Sequence, residues 1–319
     1  MLVTGGAGYI GSVVAKRLLE HGDEVTVLDD LSTGHDDAVP AGAELVVGRV
    51  HDAEAVLAGR SFDAAVHLAA ASLVAESIAD PAKYEENNVV GSRCLVAALG
   101  RLGVGRLVFS STAAVYGEPE SVPIDEDAPT RPVNPYGASK LAVDEMLAAE
   151  AGRSGLAAVS LRYCNDAGAY AVLGERHDPE THLVPIALEV ALGLRPALVV
   201  NGEDYPTADG TCVRDYIHVA DLAEAHVAAL AHAEANRHRV YNLGNGTGFS
   251  VREVIAAIEE VTGRSLTVSV GPRRPGDPAV LVASSARARA ELGWVPGRPS
   301  LERIVGDAWE VLVARRGLR

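Results

Sequence analysis

Tyr136 and Lys140 bracket a Tyr-Gly-Ala-Ser-Lys stretch, and Ser110-Ser111-Thr112 lies upstream of them. A phenol with an ordinary pKa of about 10 is a poor base at neutral pH. An ammonium one helical turn away stabilises the phenolate, and an oxidised nicotinamide nearby would stabilise it further. Residues four apart share one helix face. Thr112 follows a predicted strand, Leu107–Ser110, and site residues collect at strand carboxyl ends in parallel α/β folds. A hydroxyl there can hold a substrate hydroxyl and relay its proton to Tyr136. The chemistry implied is oxidation and reduction at a carbinol carbon.

Such chemistry needs a hydride carrier, and the first residues supply a place for one. Gly5, Gly8 and Gly11 follow a short strand and open a helix. In that context the first glycine makes the turn, the second admits a pyrophosphate to the backbone, and the third lets helix pack on strand. Asp29 ends the second predicted strand, where its carboxylate can accept both ribose hydroxyls and would repel a 2′-phosphate. NAD is therefore expected over NADP. Asn87 either caps the following helix or orders the site.

The elements around these residues alternate. Strands are expected at 2–3, 24–28, 44–47, 64–68, 107–110 and 158–161, with helices at 12–21, 88–102 and 135–151. That order predicts an α/β fold, a Rossmann-type doubly wound parallel sheet. Residues 1–165 form the NAD-binding domain. Residues 166–319 form a smaller, loop-rich α/β substrate-binding domain, with helices at 183–192, 220–235 and 251–262. A strand near 240–243 is expected to return to the main sheet.

Bulk properties narrow the classes. The 319 residues are 48% hydrophobic and carry a formal net charge of −15, which opposes a general nucleic-acid binder. No apolar run is long enough for a membrane span. Cys94, Cys164 and Cys212 have unrelated spacings, so neither a metal nor a disulfide frame is expected, and the cytoplasm is the expected compartment. Only Lys16, Lys83 and Lys140 are lysines among 28 basic residues, which makes Lys140 an improbable surface filler.

Along nearly its whole length the chain resembles the UDP-glucose 4-epimerase family of the extended short-chain dehydrogenase/reductases. The matching stretches include Val3–Gly11, Asn87-Asn88-Val89, Val115-Tyr116-Gly117, Asn134–Gly137, Tyr241–Gly244, Pro272-Arg273-Arg274, Leu292-Gly293-Trp294 and, most specific, Gly202–His218 (GEDYPTADGTCVRDYIH). The resemblance implies a catalytic set of Thr112, Tyr136 and Lys140. It implies an NAD site of Gly5, Gly8, Tyr9, Ile10, Gly11, Asp29, Asp52, Asn87, Ser110, Tyr136, Lys140 and Tyr163. A UDP-hexose would meet Thr112, Tyr136, Asn165, Leu183, Arg214, Arg274, Asp277 and Leu281. Arg214 and Arg274 suit phosphate oxygens because guanidinium forks form charge-assisted pairs. His218 reads as structural, and a homodimer joined through the helices at 88–102 and 135–151 is implied.

The match departs at several positions. Gly48-Arg49-Val50 stands where the family has an aspartate for the adenine amino group, so Asp52 is expected to substitute or the contact is lost. Cys164 replaces a phenylalanine, and Asp166 brings a carboxylate that must point away or pair with an arginine. Leu281 occupies the position that limits hexose size, which implies room for N-acetylated sugars. The alternatives are a 4-epimerase of another UDP-sugar (N-acetylated or glucuronate), a dehydratase, and a non-catalytic NAD sensor. The dehydratase family places Asp-Glu after the threonine where this chain has Ala113-Ala114; sensors usually lose the tyrosine-lysine pair.

Overall fold

Short runs of β-branched residues at regular intervals, each followed by a helix, give the parallel sheet. The computed structural model describes every residue except Pro275 and Arg319. Its main strands are β1 (Leu2–Thr4), β2 (Thr26–Asp29), β3 (Glu44–Val47), β4 (Ala65–His67), β5 (Arg106–Ser110) and β6 (Ala157–Arg162). Two short strands follow, β7 (Asn165–Ala167) and β8 (Tyr216–His218), and then β9 (Arg237–Asn242). Seven strands form one all-parallel sheet in the order β3-β2-β1-β4-β5-β6-β9. Strand order reverses beside β1, so the carboxyl ends of β1 and β4 open the crevice where such sheets bind ligands.

Helices cover both faces. On one side α1 (Tyr9–Glu20) and α5 (Val219–His232) bury Val13, Val14, Leu18, Leu222 and Ala225 against Val3, Val27, Val66 and Val108. On the other, α2 (Gly91–Arg101) and α3 (Pro135–Ser154) bury Leu95, Leu99, Val143 and Leu147 against Leu2, Leu28, Leu107 and Phe109. Alternate residues of each strand thus serve opposite layers, the pattern a doubly covered sheet requires.

The second unit has its own core. Here α4 (Leu183–Ala191), α6 (Val251–Thr262) and α7 (Leu301–Arg315) bury Val184, Leu188, Val254, Ile258, Ile304 and Val305. β7 pairs with β8, which carries this unit back onto the sheet. The expected division at residue 165 is interleaved in the structure: α5 and β9 both return to the main sheet layer. The helix α7, held by Ser300 as its N-cap, was not among the expected elements. No helix is long and apolar enough to cross a membrane among the described residues.

Candidate active site

The glycine turn is shaped by contact. A Cβ on Gly11 would lie 2.0 Å from the Gly5 carbonyl oxygen, so only glycine lets α1 start this close to β1. Gly8 is the N-cap of α1 and offers no side-chain acceptor, leaving the first helical N–H groups available to an anion. A Cβ there would meet only Gly5 O, at 3.3 Å, so the turn presents bare backbone on its open side. Asp29 Oδ2 accepts from Ala7 N at 2.9 Å, and Oδ1 accepts from Leu31 N at 2.9 Å. One carboxylate therefore pins the turn to the end of β2 while keeping lone pairs for ribose hydroxyls, and burial raises its pKa. These residues fit a dinucleotide. Tyr9 is a strut: its hydroxyl donates to Gly168 O at 2.7 Å, and Ile10 packs beside it against the core.

Pro135 opens α3, and Asn134 caps it by accepting from Gly137 N at 2.8 Å. Gly137 is required by proximity, since a Cβ would stand 2.6 Å from Ala114 O. That contact sets the first turn of α3 against the short 3₁₀ turn Ala113–Tyr116, which Thr112 caps through Ala114 N at 3.1 Å. Tyr136 and Thr112 thereby face one another, and Thr112 lowers the pKa of the phenol. Lys140 is buried, donates to Ser110 O at 2.9 Å, and sits 5.9 Å from the Tyr136 ring centre and 4.9 Å from the Phe109 ring centre.

Burial pushes the Tyr136 phenol up to about 12, with Thr112 lowering it and Asp166 raising it. Burial also lowers the Lys140 ammonium to about 8, against the opposing pull of Asp144. Burial thus disfavours the charged form of both groups.

A buried polar chain holds these groups. Thr4 Oγ1 and His67 Nδ1 lie 2.7 Å apart, and His67 Nε2 and Ser92 Oγ 2.8 Å. Ser92 donates to the Asn88 carbonyl. Asn88 Nδ2 donates to Ser139 Oγ at 3.0 Å, and Ser139 donates to Tyr136 O at 2.8 Å. The side-chain amide of Asn88 also spans Ala71, accepting from its N at 2.8 Å and donating to its O at 3.0 Å. Asn88 thus does the ordering expected of Asn87, which lies half-buried beside it. A second network joins Asp144 Oδ2 to Arg162 at 2.8 and 3.0 Å and to Ser111 Oγ at 3.1 Å. Arg162 continues to Tyr116 OH at 3.0 Å and thence to Asn242 Oδ1 at 2.7 Å. His67, Asn88, Asp144 and Arg162 were missed in the sequence because their partners are remote in the chain.

Of the residues expected at the substrate, Arg214, Asp277 and Leu281 come together. Arg214 forms an ion pair with Asp277 and donates to Pro278 O at 2.7 Å. It pairs in parallel register with Leu281, which packs against Ala113, Val115 and Tyr116 just after Thr112. Asn165 begins β7 and Leu183 begins α4, both half-buried. Arg274 is exposed next to Asp277: its carbonyl accepts from Asp277 N at 3.3 Å, and its Nε and Nη2 donate to Asn201 at 3.2 Å in the amide orientation its neighbours demand. Tyr163 meets Ser110 through their hydroxyls. Arg49 and Asp52 are both exposed. His218 caps α5 through Ala220 N at 3.0 Å and faces Asp307 at 3.1 Å, a structural placement. Asp166 points into the field of His182 and His177 and finds no arginine; burial lifts it to about 6.

A doubly wound sheet with a pinned glycine turn, a buried Tyr-Lys pair and a capping threonine defines a dinucleotide-dependent site that acts on a hydroxyl-bearing carbon. The chain belongs to the NAD dependent epimerase/dehydratase family, which it matches over residues 1–244. It is 58% identical over 313 residues to a UDP-glucose 4-epimerase of Streptomyces lividans, covering 97% of this chain and 94% of that one. The UDP-glucose 4-epimerase of Brucella ovis in complex with NAD superposes with a TM-score of 0.93 at 44% identity, covering 97% of each chain. That of Bifidobacterium longum, in complex with NAD⁺ and UDP, gives 0.94 at 35% identity over 100% of this chain and 99% of that one.

Burial lowers His67 to about 3, from an unfolded value of about 6.5. Below that upper value the unfolded chain takes up a proton that the folded chain refuses. This residue therefore removes about 1.4 kcal/mol of stability per pH unit as pH falls between about 6 and about 4. Urea unfolding at the two ends of that window will show a shallower loss in His67→Gln than in the wild type, and equal slopes would contradict the neutral assignment.

Proposed function

We propose that the chain interconverts UDP-glucose and UDP-galactose, inverting C4 of the hexose. The observation that carries this reading is the meeting of Thr112, Tyr136 and Lys140 beside the glycine turn and Asp29. NAD is the cofactor; held by the glycine turn and Asp29, it supplies the hydride acceptor and donor when bound. Thr112 holds the 4-hydroxyl, and Tyr136 removes its proton as C4 is oxidised. Lys140 stabilises the phenolate and keeps the phenol oriented. When C4 is reduced on its other face, Tyr136 returns the proton to the 4-oxygen.

Inversion requires the diphosphate to stay anchored while the oxidised hexose turns. Arg214 is preorganised for that task, its fork fixed by Asp277 and Pro278 O. Leucine at position 281 takes up less space than a tyrosine would, which favours acceptance of N-acetylated hexoses as well. Ala113 and Ala114 follow Thr112, so the acid-base pair that dehydration needs is lacking there.

The chain acts in the cytoplasm as a homodimer joined through α2 and α3. Small exposed residues support this pairing: Ala97 and Gly100 on α2, and Ala138, Ala148 and Ala149 on α3 let backbones approach closely. Sedimentation is expected at twice the chain mass, and at the single-chain mass in Ala148→Arg.

Purified protein given UDP-galactose without added NAD is expected to yield UDP-glucose. Tyr136→Phe should lower kcat by about 10²–10⁴ while retaining NAD, and near-full turnover would remove the tyrosine as base. Leu281→Tyr should depress turnover of UDP-N-acetylglucosamine more than that of UDP-glucose; an unchanged ratio would dismiss Leu281 as a gate.

A further inference from the structure

Asp215 in the Gly202–His218 motif and Gly244 in the Tyr241–Gly244 motif have no part in the chemistry above, yet the structure brings them together. Asp215 is 1% exposed, and its carboxylate takes three backbone N–H groups. Oδ1 accepts from Asn245 N at 2.7 Å, and Oδ2 accepts from Gly246 N at 3.2 Å and Ala283 N at 3.3 Å. Burial raises its pKa to about 6, and the three N–H groups work against that rise. A Cβ on Gly244 would lie 2.2 Å from Oδ2, so only glycine lets the end of β9 come this close.

The main chain of Asp215 reaches the substrate residues directly. Its N–H donates to Leu281 O at 3.1 Å, and its carbonyl accepts from Asn165 N at 3.1 Å. Arg214 precedes it and runs in parallel register with Leu281. Three residues expected at the UDP-hexose therefore radiate from one buried aspartate. We propose that Asp215 is a positioning residue for the nucleotide sugar. By tying the turn after β9 to Ala283, it fixes the gap between the Arg214 fork and Leu281. This inference rests on the substrate reading above.

The strand that carries Leu281 is gripped from two sides. Asp215 holds Ala283, and Ile124 holds the residues around it: Ile124 N donates to Val282 O at 2.9 Å, and Ser284 N donates to Ile124 O at 2.7 Å. Ile124 in turn packs on Ala113 and Tyr116, beside Thr112. An asparagine at 215 keeps the volume but turns an NH₂ group toward a backbone N–H, leaving a buried donor unpartnered. The diphosphate stays on Arg214 through oxidation, rotation and return, so a loosened anchor weakens ground and transition states alike. Such a loss appears in KM and not in kcat.

Asp215→Asn, with NAD retained, should raise KM for UDP-galactose about 10-fold or more while kcat stays near the wild-type value. Asp221→Asn alters a comparably buried carboxylate that holds Arg298 at 2.6 and 2.8 Å, and should lower Tm while leaving KM unchanged. An unchanged KM in Asp215→Asn, a fall in kcat alone, or an equal rise of KM in Asp221→Asn would overturn the role. Wild-type turnover of UDP-galactose, measured alongside, tests the functional reading separately. If Asp215→Asn does not fold, hydrogen exchange on the wild type decides. UDP should slow exchange across residues 244–246, which hold none of the groups expected at the substrate; unchanged exchange there overturns the role.

Discussion

A phenol that must take and return a proton is buried beside an ammonium, and burial disfavours the charged form of each. Tyr136 rises to about 12 and Lys140 falls to about 8, each disfavoured in its charged form by the same desolvation. In water, an ammonium and a phenol this close would hardly perturb one another; in the cleft, both pay for leaving solvent. The protein therefore holds a phenol, an ammonium and a threonine hydroxyl in readiness. An oxidised nicotinamide bound nearby would add positive charge that favours the phenolate.

Two polar networks hold these buried groups in place, with Asp144 Oδ1 alone among their atoms lacking a partner in the described residues. The Thr4–His67–Ser92–Asn88–Ser139 chain runs from β1 to the first turn of the catalytic helix, and it stays neutral because His67 refuses a proton. The Asp144–Arg162 pair is the charged counterpart. Its carboxylate lies one helical turn past Lys140 and raises the ammonium, and Arg162 compensates it so that it does not capture Lys140 outright. Breaking such a pair strands a buried charge, which is far more costly than the pair is favourable. Tyr136 thus inherits its position from two networks that never touch substrate.

How much of this was legible in the sequence follows from the range of the interactions. The glycine turn, Asp29, Thr112, Tyr136 and Lys140 were readable because each is fixed by neighbours a few residues away. The sheet was readable because β-branched runs alternate with helices. Asn87 was chosen over Asn88 because the Asn-Asn pair is symmetric to local reasoning; only the partners Ala71 and Ser139 distinguish them. His67 looked like any apolar-strand histidine until Thr4 and Ser92 flanked it. The return of α5 alongside β9 depends on packing against α1, which no local pattern records.

Asp166 shows how a departure can be absorbed. Its carboxylate raises Tyr136, Tyr163 and Tyr9, so taken alone it opposes phenolate formation. The same field favours any cation entering the cleft. Its own ionisation is restrained by burial and by Glu175, and eased by His182 and His177, leaving it near 6. At neutral pH it is mostly ionised, so its charge opposes the phenolate and favours a cation in the same cleft.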